Sequence, residues 1–170
     1  MCATDTILLI KHLRRLIMEN FEFVVATKDI VDELIEFEKI CFENLPDRFS
    51  KRSLTHLIVA PTSRTIIIRD ENGAICASVI GLLRHFKIPS GRVYKIGVRP
   101  DFGRRGVGSA LIRVIEQWFR DCGMKKTCAE VRESNTPSRR MFEKNGYRET
   151  NTLYYFYAGG ENAAKYWKDL

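Results

Sequence analysis

The 170-residue chain has little of what metal and redox sites are built from. Its three histidines, His12, His56 and His85, lie far apart and none sits in an H-E-x-x-H spacing, so no metal site is expected. Five cysteines (Cys2, Cys41, Cys76, Cys122, Cys128) form no C-x-x-C pair and are odd in number. They read as reduced thiols of a cytoplasmic protein, mostly packing the core. Long apolar runs are missing too. Ile7 to Ile10 stops at Lys11, too short to span a membrane, and its basic residues follow the run, where those of a signal peptide would precede it. No repeat, linker or low-complexity tract interrupts the chain.

What is present begins with charge. Lysine and arginine number 28 against 21 acidic residues, a net charge of +7 that favours anionic ligands. The basic residues are spread along the chain without a recognition helix or stacking strand, so nucleic acid is not the expected partner. The length suits a single domain that buries about 70% of its unfolded surface. Residues 1–20 place Ile7, Leu8, Leu9, Ile10, Leu13, Leu16 and Ile17 around Lys11, Arg14 and Arg15, the pattern of a short amphipathic helix laid on the domain. Met18 is an alternative start. The domain itself is expected over 21–170.

Within it, Phe21 to Ala26 reads as a strand and Asp29 as the cap of a helix reaching about Phe42. A helix from about Ser50 ends at Pro61. Strands at Thr65–Arg69 and Ala74–Leu83 flank an Asp70-Glu71-Asn72-Gly73 turn. A strand at Arg92–Val98, a long helix, a strand at Lys126–Val131 and a helix from Asn135 to Lys144 follow. Tyr147–Tyr157 and Ala163–Asp169 close the chain as a hairpin around Gly159-Gly160. Early meandering strands followed by helical crossovers describe a mixed sheet in one α/β domain.

Between the Arg92–Val98 strand and the long helix stands Gly103-Arg104-Arg105-Gly106-Val107-Gly108. Gly106 and Gly108 let the backbone approach a ligand, and a helix beginning there aims unpaired N–H groups and its positive dipole end at an anion. The helix face is Val107, Leu111, Val114, Ile115, Trp118 and Cys122, with Arg113, Glu116 and Arg120 between them and Gly123 at the end. G-x-x-G-x-G is not the dinucleotide order G-x-G-x-x-G, and no Gly-Lys-Ser/Thr follows. From spacing alone, a phosphate cradle and a plain strand-to-helix turn with solvated arginines both remain open.

The order of strand, cradle, helix, strand and Asn-led helix resembles the GNAT superfamily of N-acetyltransferases. The resemblance spans about Phe21 to Leu170. It is carried by Ile96-Gly97-Val98-Arg99-Pro100, Arg104-Arg105-Gly106-Val107-Gly108-Ser109-Ala110-Leu111 and Glu130-Val131-Arg132-Glu133-Ser134-Asn135. It is most similar to the RimI-type branch, which acetylates protein N-terminal α-amines, through that glutamate-led run and the ending Tyr154-Tyr155 with Gly160-Glu161-Asn162-Ala163. The resemblance implies a GNAT fold whose central parallel strands splay apart. It implies acetyl-CoA paired to the backbone of Ile96, Gly97 and Val98, with its pyrophosphate on the amides of Arg104, Arg105, Gly106, Val107, Gly108 and Ser109. Asn135 and Phe142 are implied as further cofactor contacts, and Phe42, Leu45, Tyr154 and Tyr155 as acceptor contacts.

By the same resemblance Glu130 is the candidate base, sharing a strand face with Cys128 and Arg132; the alternative is an ion pair with Arg132 or another arginine. An α-amine, with a pKa of about 7.7–8.0, needs only a modest base. Glu133 reads as a solvated loop charge and Asn135 as a helix cap as well as a cofactor contact. The chain departs from the family at Phe142, where a tyrosine usually protonates the leaving thiolate, and at Gly103, where glutamine or arginine usually opens the cradle. No cysteine is primed as a nucleophile. A small-amine acceptor and a catalytically silent acyl-CoA-binding module are the other readings, and the oligomeric state, a homodimer included, stays open.

Overall fold

The computed structural model describes residues 22–43, 45–46 and 48–170. The helix expected over residues 1–20 and the start at Met18 lie outside the described residues. Strand β1 (Glu22–Val25) leads through a single 3-10 turn (Lys28–Ile30) to helix α1 (Val31–Cys41), and α2 covers Lys51–Val59. Strands β2 (Ser63–Arg69), β3 (Ile75–Arg84) and β4 (Ser90–Val98) precede α3 (Val107–Asp121), then β5 (Lys126–Arg132), α4 (Thr136–Lys144), β6 (Arg148–Leu153) and β7 (Ala163–Asp169). The strands form one open mixed sheet in the order β1-β2-β3-β4-β5-β7-β6.

Local chemistry accounts for most boundaries. Asp70 closes the β2–β3 turn by accepting from the N–H groups of Asn72 and Ala74, each at 3.0 Å, while Gly73 takes φ +79°. Ser50 caps α2 through the Ser53 N–H at 3.1 Å. Asp29 does not cap α1: it sits inside the preceding 3-10 turn and accepts from the Thr27 hydroxyl, while Ile30 holds the N-cap position of α1 with no side-chain cap. That local bond draws the carboxylate away from the helix amides.

The alternation of β2 splits the core in two. Ile66 and Ile68 face α3 with Val93, Leu111, Ile115, Phe119, Ala129 and Val131, whereas Ile67 faces α1 and α2 with Leu34, Phe37 and Leu54. Helix α3 lies close on the sheet because strand glycines admit it. A Cβ at Gly91 would stand 2.3 Å from the Phe119 ring. One residue departs from the expected polar face of α3. Glu116 is buried (2% exposed), both its oxygens receiving Lys168 Nζ at 2.8 and 2.7 Å.

What positions the site is the seam between β4 and β5. Their parallel pairing runs only from Ser90–Lys126 to Val93–Ala129. Beyond it β4 continues to Val98 against β3, and β5 continues to Arg132 against β7. Residues 94–98 therefore present a strand edge in the middle of the sheet, with Ile96 and Val98 half-buried.

Candidate active site

The seam opens into a cleft of about 390 Å³. Its walls include Ile96 from β4, Glu130 and Arg132 from β5, Asn135, Ser138 and Phe142 around α4, and two loops that supply Phe42, Leu45 and Phe49 on one side and Phe156 and Tyr157 on the other. The fold thus gathers Glu130, Ile96, Asn135, Phe142, Phe42 and Leu45 from separate stretches of chain.

At the exit of β4, Pro100–Phe102 form one 3-10 turn and the chain then passes through two left-handed residues, Arg104 at φ +60° and Gly106 at φ +79°. Gly106 is the N-cap of α3, and no side chain caps that end, so the first-turn amides at Val107, Gly108 and Ser109 are left to an anionic ligand. Gly108 is fixed by packing: a Cβ there would lie 2.4 Å from Met141 Sδ, so α3 and α4 approach closely beside the cradle. Arg104 and Arg105 are exposed, and the Arg105 guanidinium rests 5.0 Å over the Phe102 ring. Gly103 is held by its N–H to Pro100 O at 3.1 Å. Acetyl-CoA fits these features: an edge at Ile96 to Val98 for amide pairing, uncapped amides and arginines for phosphates, and no Cβ at Gly106 or Gly108 in the way. Ser109 turns its hydroxyl away from this duty, accepting from Asn145 Nδ2 at 2.8 Å. Asn135 caps α4 through the Ser138 N–H at 3.1 Å.

Glu130 lies on the cleft floor with its side chain 6% exposed. Arg92 Nε donates to Oε2 at 2.7 Å and Lys165 Nζ donates to Oε1. Burial pushes the carboxyl upward, but the Lys165 hydrogen bond and the Arg92 charge outweigh it and hold Glu130 below the usual glutamate range. The ion pair that the sequence leaves open therefore exists, with Arg92 and Lys165 as partners. Arg132 instead joins Glu161 Oε2 at 2.5 Å, while its guanidinium covers the Tyr157 ring at 3.9 Å.

Glu161 also takes the Ser134 hydroxyl, and Asn162 Nδ2 donates to Glu133 Oε2 at 3.1 Å. The Gly-Glu-Asn run thus buckles the β6–β7 loop to the β5–α4 loop, and Glu133 is a half-buried member of that buckle, not a solvated charge. The buckle decides which aromatics face the cleft. Tyr154 and Tyr155 are 74% and 81% exposed and lie outside it, whereas Phe156 and Tyr157 line it. Tyr157 donates its hydroxyl to the Glu130 backbone oxygen at 2.9 Å.

Phe142 is fully buried, edge-on to Tyr147 at 5.0 Å and stacked on Tyr166 at 6.2 Å, so it gives the cleft an apolar wall. Lys95 sits between the rings of Phe42 (4.1 Å) and Phe49 (4.3 Å) and is paired with Glu38. Arg92, Lys165, Lys95 and Tyr157 carry no sequence motif of their own; only sheet register and loop anchoring bring them here. Among the described residues no cluster of His, Cys, Asp or Glu could hold a metal, and no helix is long and apolar enough to cross a membrane.

The sequence pattern of the Acetyltransferase (GNAT) family matches residues 29–147. An N-alpha-acetyltransferase of Sulfurisphaera tokodaii is 31% identical over 144 residues, covering 78% of this chain and 83% of the relative. Ard1 from Thermoplasma volcanium superposes with a TM-score of 0.75 at 18% identity, over 89% of this chain and 98% of that one. NAA60 of Arabidopsis thaliana in complex with acetyl-CoA superposes with a TM-score of 0.76 at 13% identity, over 88% and 99%.

Proposed function

The chain belongs to the GNAT family and is an acetyl-CoA-dependent N-acetyltransferase, and from that premise we propose that its acceptor is the N-terminal α-amine of a protein or peptide, as in the RimI-type branch. The observation that carries this reading is the cleft beyond the strand seam, an aromatic-walled groove between two loops with one ionised carboxylate on its floor. A polypeptide end can lie between Phe42, Leu45 and Phe49 on one bank and Phe156 and Tyr157 on the other. The name of the Sulfurisphaera relative supports the same acceptor. The reduced thiols favour the cytoplasm as its compartment.

Acetyl-CoA supplies an acetyl group activated as a thioester. We assign its binding to the edge at Ile96, Gly97 and Val98, to the amides from Arg104 to Ser109, and to Asn135 and Phe142. Glu130 receives the proton that the α-amine gives up, directly or through one water. An amine with a pKa of about 7.7–8.0 is partly neutral already, so a carboxylate suffices. Phe142 offers no proton to the leaving sulfur, which suits a leaving thiol whose pKa is about 8.5. Cys128 is fully buried and burial pushes its thiol up, so attack by the amine is direct, without an acyl-enzyme.

Mass spectrometry on a panel of free-α-amine peptides, α-blocked lysine peptides and small amines tests the acceptor. Acetylation at the α-amine is expected, and acetylation of small amines alone would overturn it. Glu130→Gln is expected to lower kcat by about 10²–10⁴-fold with acetyl-CoA affinity retained.

A further inference from the structure

We infer that Lys165 is a positioning residue for the transfer, anchoring the Glu130 carboxylate from β7 as a fixed anion on the cleft floor. The inference rests on the reading of Glu130 as the base. Glu130 and Lys165 are direct partners in the β5–β7 register, and β5 lies between β4 and β7, so the carboxylate is gripped from both flanking strands. Lys165 Nζ holds Oε1 while Arg92 Nε holds Oε2 at 2.7 Å. The three side chains are 10%, 6% and 17% exposed for Lys165, Glu130 and Arg92, which keeps bulk water from competing for the grip.

Arg92 and Glu130 line the cleft but Lys165 does not, so Lys165 reaches the cleft through Glu130; its other polar neighbour is the buried Cys128 thiol, which does not line the cleft either. Its ammonium is further seated 5.0 Å over the Trp167 ring. No other charged neighbour among the described residues stands ready to replace it. Arg132, on the same face of β5, is bound to Glu161, and Lys95 is bound to Glu38. Arg84 of β3 reaches Cys128 Sγ, at 3.9 Å, and the Tyr157 hydroxyl is given to the Glu130 backbone oxygen. Arg92 alone would face a carboxylate whose burial favours the protonated form.

The consequence is a pH signature. With both cations present Glu130 stays ionised while the acceptor amine titrates, so below about pH 7.7 one proton governs kcat/KM and log kcat/KM falls with slope one. In Lys165→Met the Glu130 carboxyl titrates higher than in the native chain, and below that value its proton joins the amine's. The slope then approaches two on the acid side, a further loss of about tenfold per pH unit. Lys165→Arg restores slope one.

The experiment measures kcat/KM against pH for the full chain and for Lys165→Met, Lys165→Gln, Lys165→Arg and Glu130→Gln, with acetyl-CoA affinity and thermal unfolding followed in parallel. Slope two in Lys165→Met, with acetyl-CoA affinity kept and rescue by arginine, is the expected result. Should the Met variant not fold, Lys165→Gln decides on the same slope criterion. Slope one in the uncharged variants alongside an inactive Glu130→Gln overturns the role of Lys165 and leaves Glu130 as base. A fully active Glu130→Gln overturns both.

Discussion

Gly106 and Gly91 show how differently two glycines are required. Gly106 sits at φ +79° with nothing within 4 Å of where a methyl would stand, so Gly106→Ala meets only a torsional cost, about 1–2 kcal/mol, in the segment to which we assign the coenzyme phosphates. Its expected outcome is a lower denaturation midpoint together with weaker acetyl-CoA binding by calorimetry. Gly91→Ala drives a methyl into the Phe119 ring, far from the cradle, and overpacking costs about 1–3 kcal/mol. Here the midpoint falls while acetyl-CoA affinity holds. Charged residues add an acid dependence. Glu130 and Glu161 both titrate below their ordinary range, Glu161 because the Ser134 hydroxyl and then Arg132 bind it. The stability they contribute is complete above the unfolded glutamate value of about 4.3 and is lost as pH falls through their lower folded values. Urea midpoints between pH 6 and pH 3 are expected to drop more steeply for the native chain than for Glu130→Gln.

Helix α4 and the open edge of β4 are the elements whose behaviour separates structure from binding. Asn135→Ala removes the α4 cap and is expected to cost about 0.5–2 kcal/mol, whereas Asn135→Ser keeps a capping oxygen and the stability with it. Any loss of acetyl-CoA affinity in the serine variant then reports a coenzyme contact and not a frayed helix. In β4, amides of residues 94–98 that β3 does not engage are expected to exchange quickly with deuterium in the free protein and slowly once acetyl-CoA is added, as read by exchange mass spectrometry. Elements of this kind are legible in the sequence because their signals are local. Gly123 ends α3 at φ +77°, Ala60 before Pro61 ends α2, and the Asp70 to Gly73 turn joins the strands on either side. What the sequence hides depends on distant partners. Glu116 looks polar because Lys168, which neutralises it, lies 52 residues on. Lys165 meets Glu130 only because β7 inserts between β5 and β6. The sequence points to Tyr154 and Tyr155 as the groove tyrosines, since nothing in the residues before Glu161 reveals that the Glu161 and Asn162 anchors turn Tyr157 inward instead.

At the scale of the whole molecule the two cores lie on opposite faces of one sheet, and the cleft that we assign to cofactor and acceptor lies where that sheet fails to close. Cys41 and Cys76, half-buried and buried, have their thiols pushed up to about 12 and about 11, mainly by burial. Alkylation by iodoacetamide at neutral pH is therefore expected to be slow at these positions in the folded chain and fast after denaturation, as read by peptide mass spectrometry. The short seam has a mechanical meaning as well. Strands β1 to β4 and strands β5 to β7 are two panels joined along only four residue pairs, Ser90–Lys126 to Val93–Ala129. A molecule lodged across the opening adds rungs to a ladder that lacks them, so occupancy stiffens the whole plate and not just its own site. The enzyme is then stiffest while coenzyme, charged or spent, bridges the seam, and loosest once the seam is empty.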